Sequence, residues 1–423
     1  MKNWAGNQAY RAARLLEPGS LDELQEIVRA GRSLRVLGSR HSFNDIADTT
    51  GDHVSLGAMP RIYQLDRGAR TVRVDGAVRY GELAVQLHAD GFALHNLASL
   101  PHISVAGACA TATHGSGDRS GNLATAVVAV DVVTASGELV RFGRDIDSEL
   151  FGGAVVALGA LGVVTSLTLA VEPTFEMRQD LYENVSLAQV AGHFDEITSL
   201  ADSVSLFTEW HGPGFEQLWL KRRVGRSPST ERPFAPPPTI FGASRATGKI
   251  HPIRRMPADA LTEQLGVPGP WHERLPHFRM DHTPSAGAEL QTEWLLPRGS
   301  AVDALIALQG LRSVIEPLVQ VSEVRTVAAD ALWMSTAYGR ASVAIHFTWQ
   351  PDWEAVRQVV PRIEAALAPF GPRPHWGKLF AMAPDMVRAA YERRPSFVAL
   401  AERLDPEGKF HNEFLERYVF GGR

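Results

Sequence analysis

The stretch ASLPHISVAGACATATHGSG, residues 98–117, constrains the fold of this 423-residue chain more than any other segment. Fourteen of its twenty residues are Gly, Ala, Ser, Thr or Cys, and none is Asp, Glu, Lys or Arg. Side chains this small let the main chain approach a flat ring or a pyrophosphate closely. The same composition also fits a small-residue helix packed against a sheet, and the segment alone favours neither interpretation.

A second segment, VLGSRHSFNDI at 36–46, strengthens the ligand-binding interpretation. A buried strand leads here into a loop of small polar residues, whose main-chain N–H groups can converge on an anion without a lysine. The loop is neither a Walker P-loop nor a GxGxxG fingerprint, because neither glycine pattern opens a helix here. Taken alone, a single histidine such as His41 is more often an ordinary loop residue.

Patterning in the first 175 residues alternates short helices with β-hairpins. Ser20 and Glu23 form a capping box at the start of the first helix, and Ser136-Gly137 marks a hairpin turn. Helices mixed with hairpins indicate an α+β fold rather than a doubly wound parallel sheet. The predicted helices are 21–31 and 80–89, and the predicted strands are 34–38, 63–66, 71–76, the hairpin 127–143, and 164–171.

The pattern changes near 172–175, where strands become longer and more aromatic. A β-α-β-β-α order after residue 286 resembles a ferredoxin-like antiparallel sheet, and no internal repeat is evident. Five prolines within 225–250 indicate a long loop. The other predicted elements are a helix at 187–202, strands at 205–211 and 217–223, a strand at 287–297, a helix at 300–311, strands at 321–327 and 342–349, a helix at 353–368, and a helical segment at 374–423.

Charge and cysteine content exclude several classes of function. The net charge is −5, which argues against a nucleic-acid or anionic-membrane partner because both need a basic face. A single cysteine, Cys109, excludes a disulfide framework and a multi-thiolate metal site. Residues 150–171 carry no charge, but their glycines and β-branched alternation predict a strand after a short helix, not a membrane span. Without an apolar segment after Met1, we expect a cytoplasmic protein. We also expect a monomer.

Eight short blocks in the chain carry a family resemblance: VLGSRHSFNDI, NLASLPHISVAGACATATHGSG, GALGVVTSLTL, WHERLPHFR, SEVRT, HFTW, PHWGK and DPEGKFHNEF. In this order they resemble the alditol oxidases, flavoproteins of the vanillyl-alcohol-oxidase (PCMH-type FAD) superfamily that are related to the aldonolactone oxidases. The resemblance covers nearly the whole chain. It implies an α+β, two-domain PCMH-type FAD fold, with an FAD domain at 1–174, a ferredoxin-like substrate (cap) domain at 175–373, and 374–423 returning to the FAD domain.

The resemblance implies FAD as the cofactor. In the family's G-S-G-H-S loop the histidine is bonded covalently to the 8α-methyl of FAD, which places the bond on His41. Arg40 stands where the family usually has glycine; it is strained if that position needs a positive φ, or alternatively it lies over the pyrophosphate. The residues implied to contact FAD are Val36, Leu37, Gly38, Ser39, Arg40, His41, Ser42, Ser99, Ser104, Gly107, Thr111, Ala112, Thr113, His114, Val164 and His375.

Two other kinds of covalent or metal site are not expected. Some relatives attach the flavin through both a histidine and a cysteine, but a buried free cysteine such as Cys109 usually behaves as a small hydrophobe. His95, His102 and His114 lack the i, i+4 spacing of a metal-binding helix. We therefore predict neither a cysteinyl link nor a metal ion.

The resemblance also implies the substrate-binding residues: Ser99, Glu323, Arg325, His346, Thr348 and Lys378. Strand periodicity agrees, because Glu323 and Arg325 are two apart on one predicted strand, as His346 and Thr348 are on another. The apolar residues between them favour a pocket, although a solvated outer sheet face fits the pattern equally well. The predicted site offers one carboxylate and two cations that face a wet pocket, so loss of either cation leaves no unpaired partner in the core.

The activity that the resemblance implies is oxidation of the terminal hydroxyl of an alditol, such as xylitol or sorbitol, to the aldose. Hydride passes to flavin N5, and O₂ then reoxidises the flavin and yields H₂O₂. The base is not identified, although Arg325 is a poor candidate because a guanidinium keeps its proton. Two alternatives stay open: an aldonolactone oxidase or dehydrogenase, and a flavin- or sugar-binding protein without turnover.

Overall fold

The first part of the chain combines a small parallel sheet with a larger antiparallel sheet. A computed structural model describes residues 1–225, 236–283 and 285–422. The helices up to residue 175 are α1 Leu21–Ala30, α2 Tyr80–Ala89, α3 Val105–Ala110 and α4 Ser148–Ala154. The strands are β1 Arg14–Leu16, β2 Leu34–Val36, β3 Asp52–Val54, β4 Tyr63–Asp66, β5 Thr71–Asp75, β6 Phe92–Ala93, β7 Val127–Val133, β8 Leu139–Gly143, β9 Val163–Ala170 and β10 Glu172–Pro173.

Local sequence signals explain these elements. The predicted capping box starts α1, because the Ser20 side chain accepts a hydrogen bond from the Glu23 N–H. The predicted hairpin forms between β7 and β8, with Gly137 at φ +80° in its turn. The five-stranded antiparallel sheet has the order β4-β5-β9-β7-β8, and β1-β3-β2 form the parallel sheet. The small-residue segment 98–117 forms only the six-residue α3 and is otherwise loop, so it is not a long packed helix.

The second part of the chain is built on a large antiparallel sheet. Its helices are α5 Leu187–Thr198, α6 Ala301–Gln309, α7 Arg312–Ile315 and α8 Trp353–Leu367. Its strands are β11 Glu176–Ser186, β12 Ser203–Thr208, β13 Gly214–Arg223, β14 Thr239–Ile240, β15 Ala243–Arg245, β16 Gly269–Pro270, β17 Leu290–Pro297, β18 Val319–Val327, β19 Ser342–Trp349 and β20 Arg373–Pro374. The strand order is β14-β15-β11-β13-β12-β18-β19-β17-β20, and β16 also pairs with β11.

This sheet contains two units of the same topology. The order β11-α5-β12-β13 is repeated by β17-α6-β18-β19, and β12 pairs with β18 where the two units meet. The α+β class and the ferredoxin-like sheet are therefore confirmed. The second unit matches the prediction, whereas the first unit repeats its topology without a repeat in the sequence.

The two faces of the central strands differ in polarity. Val324, Ile345 and Phe347 lie in the same apolar core as Leu305 of α6 and Val360 of α8. Successive strand residues point to opposite faces, so the alternate residues of β18 and β19 form a polar face turned away from these helices. That polar face meets the loops of the first part of the chain.

The last 50 residues contact the first 50. They contain α9 Pro384–Ala389, α10 Arg394–Leu404 and α11 Glu413–Leu415. The Leu34 N–H donates to the Lys409 carbonyl, the buried Arg35 guanidinium donates to the Phe410 carbonyl, and Asn412 donates to three carbonyls of residues 45–48. Many partners of the early loops are therefore supplied from the end of the chain.

Two further sequence predictions concern segments without charge or regularity. Residues 150–171 form the end of α4 and then β9, as predicted, and no helix within the described ranges is long and apolar enough to cross a membrane. Of the predicted loop at 225–250, residues 226–235 lie outside the described residues. Its second half contains the short hairpin of β14 and β15.

Candidate active site

A cavity of about 590 Å³ lies between the small-residue loops of the first part and the polar sheet face of the second. Nearly all of the site residues predicted from sequence line it. Ala112 does not, because its side chain is fully buried in the core and the residue only shapes the loop, at φ +53°. Volumes of about 300–1,000 Å³ are usual for small-molecule and cofactor sites.

The loop after β2 presents main-chain donors to the cavity. The N–H groups of residues 38–42 make no hydrogen bond to another atom of the described residues, although these residues line the cavity. A Cβ on Gly38 would lie 2.8 Å from Ser104 Oγ, and the Ser104 N–H donates to Ser39 Oγ at 3.0 Å. The two small-residue segments are therefore in direct contact. Unpaired N–H groups in such a concave loop suit the phosphates of a dinucleotide such as FAD.

Arg40 has the left-handed conformation that the sequence placed in question. Its φ is +63°, a region that costs a side-chain-bearing residue about 1–2 kcal/mol. The Arg40 carbonyl accepts a hydrogen bond from the Trp4 N–H at 2.8 Å, and the Trp4 ring stacks on the His41 ring at 5.3 Å between centroids. The N-terminal segment therefore braces this loop, a contact that the sequence analysis missed.

His41 is held as a neutral imidazole. Burial, followed by the nearby His102 and Arg79, lowers its pKa to about 4. A neutral ring keeps a lone pair on one nitrogen, which is the form that can bond to a carbon electrophile. Cys109 differs: it does not line the cavity, and burial raises the pKa of its thiol to about 12.

The polar face of β18 and β19 forms the opposite wall of the cavity. Glu323 is directly opposite His346 in the ladder. The four predicted side chains of this face are each less than a tenth exposed: Glu323, Arg325, His346 and Thr348. The alternative of a solvated outer sheet face is therefore wrong. Ser99, from the small-residue segment, accepts a hydrogen bond from Arg325 at 3.2 Å, which joins the two walls.

Glu293 on β17 is the charged residue that the sequence analysis missed. It is 1% exposed and lies directly opposite His346 in the ladder. Its carboxylate accepts hydrogen bonds from Lys378 Nζ at 2.7 Å and from Arg325 at 2.9 Å, and His114 Nε2 lies 3.3 Å away. Burial opposes ionisation, but Lys378, His114 and Arg325 hold the pKa of Glu293 well below its usual range.

A periodic signal for Glu293 was present in the sequence. Glu289, Gln291 and Glu293 alternate in GAELQTEWLLP, the same two-residue period that identified the other polar pairs. Gln291 also lines the cavity, and it faces Thr348 across the ladder.

Lys378 connects Glu293 to His346 and Thr348. Its Nζ donates to His346 Nδ1 at 2.8 Å, so the proton of the neutral ring is on Nε2, which donates to Thr348 Oγ1 at 3.0 Å. Burial lowers the pKa of Lys378, although Glu293 opposes the shift. Burial and then Lys378 lower the pKa of His346 well below its usual value, and of His375 to about 3.

The number of charged groups in the site differs from the prediction. The site contains two carboxylates, and both predicted cations, Arg325 and Lys378, bind the buried Glu293. Removing either cation therefore does leave a buried charge short of a partner, contrary to the expectation of a wet pocket. Burial opposes ionisation of Glu323 too, but Arg325 and His277 hold its pKa far below the usual range.

His277 is a second residue that sequence analysis missed. Its Nε2 donates to Glu323 Oε1 at 2.8 Å, and its main-chain N–H donates to the Ser99 carbonyl. It lies in the block WHERLPHFR, far in sequence from both partners, so no local spacing indicated the contact. Among the described residues, no group of three or more His, Cys, Asp or Glu side chains is arranged to hold a metal ion.

Comparisons with known proteins agree with this arrangement. Residues 12–143 match the family model "FAD binding domain", and residues 288–418 match "D-arabinono-1,4-lactone oxidase". The chain is 50% identical to an alditol oxidase of a Streptomyces species, with 99% of each chain covered, and 30% identical to an L-gulono-1,4-lactone dehydrogenase of Mycobacterium tuberculosis, with 99% and 98% covered. The crystal structure of cholesterol oxidase from B. sterolicum matches with a TM-score of 0.76 at 14% identity, covering 99% of this chain and 96% of that one, which shows a shared fold.

Proposed function

The chain belongs to the family of FAD-dependent oxidoreductases that contains alditol oxidase, and from that premise we propose that it oxidises the terminal primary hydroxyl of an alditol to the aldehyde of an aldose. The acceptor is O₂, which is released as H₂O₂. The observation that carries the proposal is the 50% identity to alditol oxidase over 99% of both chains.

The polar sheet face has the chemistry to hold a polyol. The Glu323 carboxylate accepts hydrogen bonds from hydroxyls, Arg325 and Lys378 donate them, and Thr348 and Ser99 can do both. All five line the cavity. We assign Ser99, Glu323, Arg325, His346, Thr348 and Lys378 to substrate binding and activation.

The reacting hydroxyl must lose its proton while the carbon beside it loses a hydride. Arg325 stays protonated, since Glu323 and Glu293 raise its pKa even though burial opposes the charge. Glu323 and a deprotonated Lys378 are the two groups of the sheet face that can take up a proton. Arg325, and Lys378 while it carries its proton, stabilise negative charge that develops in the cavity.

The small-residue loops fit FAD. Residues 38–42 supply the free N–H groups that the phosphates of a dinucleotide need. Gly38 and Gly107, which line the cavity, allow close main-chain approach, and His41 supplies the nucleophile for a covalent tether. When bound, FAD supplies a two-electron acceptor that can be reoxidised by O₂. We propose that the FAD domain comprises 1–174 and 374–423 and that the substrate domain comprises 175–373.

We also propose that the protein acts as a monomer in the cytoplasm. The single cysteine is buried and reduced, which suits a reducing compartment. The net charge of −5 gives no general attraction to nucleic acid.

The length of the substrate tests this function. Each hydroxyl lost from the substrate leaves a polar group of the site unpaired, at a cost of about 1–3 kcal/mol. We therefore expect kcat/KM, measured as H₂O₂ release, to fall steeply from xylitol or sorbitol to glycerol, and further to a 1,2-diol. Gulono- and galactono-lactones form the comparison set, because a lactone oxidase would prefer them.

Glu323→Gln is the matched variant for this series. The amide keeps the shape of the side chain but loses one acceptor, so the dependence on substrate length should become flatter. Equal kcat/KM for glycerol and sorbitol would contradict the proposal, and preference for the lactones would establish the alternative activity. FAD binding without H₂O₂ release from any of these compounds would indicate a binding protein.

A further inference from the structure

Lys221 is a buried lysine that the proposed reaction does not use. It lies on β13, is 1% exposed, and does not line the cavity. Burial lowers the pKa of Lys221 to about 7, although Glu323 opposes the shift, and the ammonium form has three N–H donors. Lys221 Nζ directs them to the carbonyls of Leu275 at 2.6 Å and Pro276 at 3.2 Å, and to His277 Nδ1 at 2.9 Å.

The contact with Lys221 fixes the tautomer of His277. Because Nδ1 accepts a hydrogen bond from the lysine, the proton of the neutral ring is on Nε2, which donates to Glu323 Oε1 at 2.8 Å. Burial, followed by the charge of Lys221, lowers the pKa of His277 to about 4, so the ring is neutral at pH 7. The hydrogen bonds therefore run in one direction, from Lys221 through His277 to Glu323.

The position of the Glu323 carboxylate depends on the direction of these hydrogen bonds. Oε1 is engaged by His277, and Oε2, which lies 3.5 Å from Arg325 Nε, is left for a ligand in the cavity. In the other tautomer, a bare Nε2 would lie 2.8 Å from a carboxylate oxygen with no proton between them. Repulsion would then displace the carboxylate from the position in which it faces the cavity.

A second lysine–histidine pair has the same order on the other side of Arg325. Lys378 donates to His346 Nδ1, and His346 Nε2 donates to Thr348. Both histidines thus present an Nε2–H to an oxygen of the site, and a lysine sets both tautomers. Of these two lysines, Lys378 lines the cavity and Lys221 does not. Lys378 can therefore contact the substrate, whereas Lys221 can act only through His277.

We propose that Lys221 is a positioning residue: by fixing the Nε2–H tautomer of His277, it holds Glu323 as the acceptor for hydroxyls of a polyol. The identity of the substrate in this inference depends on the proposed function. The charged and titratable groups around Lys221 are His277, Glu323 and Arg325, which approach from the 275–277 segment and from β18.

A double-mutant cycle separates this role from simple structural support. Glutamine at position 277 keeps an N–H donor near the Nε2 position but has no tautomers. Lys221→Met should therefore raise the KM for xylitol about tenfold or more when His277 is present, the loss expected for a hydrogen bond to a charged group. In the His277→Gln background, the same substitution should change KM less than about threefold.

The FAD-loaded proteins are compared by KM and by the rise in Tm that saturating xylitol produces without O₂, where the flavin is not reoxidised and turnover stops. Lys409→Met is the matched control, since Lys409 is a buried lysine that also donates to two carbonyls and does not line the cavity. It should lower the Tm and leave the KM unchanged. Equal effects of Lys221→Met in the two backgrounds would overturn the inference.

Two further arms keep the test decisive. If Lys221→Met does not fold, His277→Gln is compared with His277→Asn, whose shorter amide cannot reach Glu323; the expected KM is near wild type for Gln and about tenfold higher for Asn. Equal KM values for the two would overturn the inference. If the wild type oxidises only aldonolactones, the proposed function has failed, and the same cycle with L-gulono-1,4-lactone decides the role of Lys221.

Discussion

The two walls of the cavity recognise their ligands by different means. The loop at 36–42 offers main-chain N–H groups, small side chains and one histidine, and its shape depends on glycine and on a left-handed Arg40. The sheet face offers ionised side chains, in which Glu293 and Glu323 are each bound by Arg325. Ligand recognition by the loop therefore depends on backbone conformation. Ligand recognition by the sheet face depends on the balance between its buried carboxylates and cations.

This difference determines how each wall responds to substitution. A side-chain change in the loop alters local conformation but breaks few hydrogen bonds, since the N–H donors are independent of sequence. A change on the sheet face removes a partner from a buried charge, and the cost of an uncompensated buried charge is large. Substitutions on the sheet face should therefore have larger effects than substitutions in the loop.

Arg325→Met should have the largest effect, because it leaves Glu293 and Glu323 without their shared cation. We expect the free energy of unfolding to fall by about 3–5 kcal/mol, and kcat with xylitol to fall by about 10²–10³-fold. Chemical denaturation and H₂O₂ release measure the two effects.

Arg223→Met on the same sheet is the control for Arg325→Met. Arg223 makes two hydrogen bonds to Glu172 and does not line the cavity. It should destabilise the protein but preserve kcat. If Arg325→Met left the stability unchanged, the sheet face would not depend on charge balance.

The sequence predicted the residues of the sheet face correctly where the two-residue period lies within a single strand. The strand period placed Glu323, Arg325, His346 and Thr348 on one face, and the structure has them there. It failed for His277, because the partner of Glu323 arrives from a loop 46 residues away. A period of two identifies which residues share a face, but it cannot identify which distant loop covers them.

In the loop, the resemblance indicated which residues lie near FAD, and only the structure provides their conformation. The positive φ of Arg40 and the stacking of Trp4 on His41 depend on contacts with the N-terminal segment. The sequence VLGSRHSFNDI alone does not predict these contacts with the N-terminal segment.

The second-largest effect that we expect is a loss of folding stability at low pH, caused by the titratable groups at the sheet face. The folded pKa values of His277, about 4, and His375, about 3, lie below the unfolded value of about 6.5. The unfolded chain therefore binds protons more readily, so the stability from each ring is complete above about pH 6.5 and is lost as the pH falls toward the folded value. The depressed pKa values of Glu293 and Glu323 act in the same direction below about pH 4.3.

The free energy of unfolding, measured in urea at pH 7, 5.5 and 4.5, should fall by up to about 1.4 kcal/mol per pH unit for each of these histidines. His375→Gln should reduce this slope by the share of one histidine. A stability that is constant between pH 7 and 4.5 would contradict the picture of neutral, buried rings.

His41→Ala tests the tether in the loop, where we expect a smaller effect on the fold. Wild-type protein denatured in acid or SDS should stay yellow, because the flavin is bonded to the chain. His41→Ala should release FAD on denaturation, and it should lose FAD more readily when folded. Its apoprotein should stay within about 1 kcal/mol of the wild-type stability, because His41 makes no ion pair and is only partly buried. Colourless denatured wild type would exclude the covalent bond.

Arg40→Gly should have the smallest effect, and it decides between the two roles of Arg40 that the sequence left open. Glycine relieves the strain of φ +63° but adds flexibility to the unfolded chain, so the gain in stability should stay below about 1 kcal/mol. The main-chain bond from Trp4 to residue 40 is unaffected by the side chain.

Arg40→Ala removes the same charge without relieving the strain, and Arg70→Gly, at an exposed residue with φ +52°, relieves similar strain away from the cavity. If Arg40 is only strained, the Gly variant should incorporate as much covalent FAD as the wild type, measured by flavin fluorescence in SDS gels, and the Ala variant should do the same. If the guanidinium lies over the pyrophosphate, both variants should incorporate less FAD, whereas Arg70→Gly should not, and the loop would then depend on charge as the sheet face does.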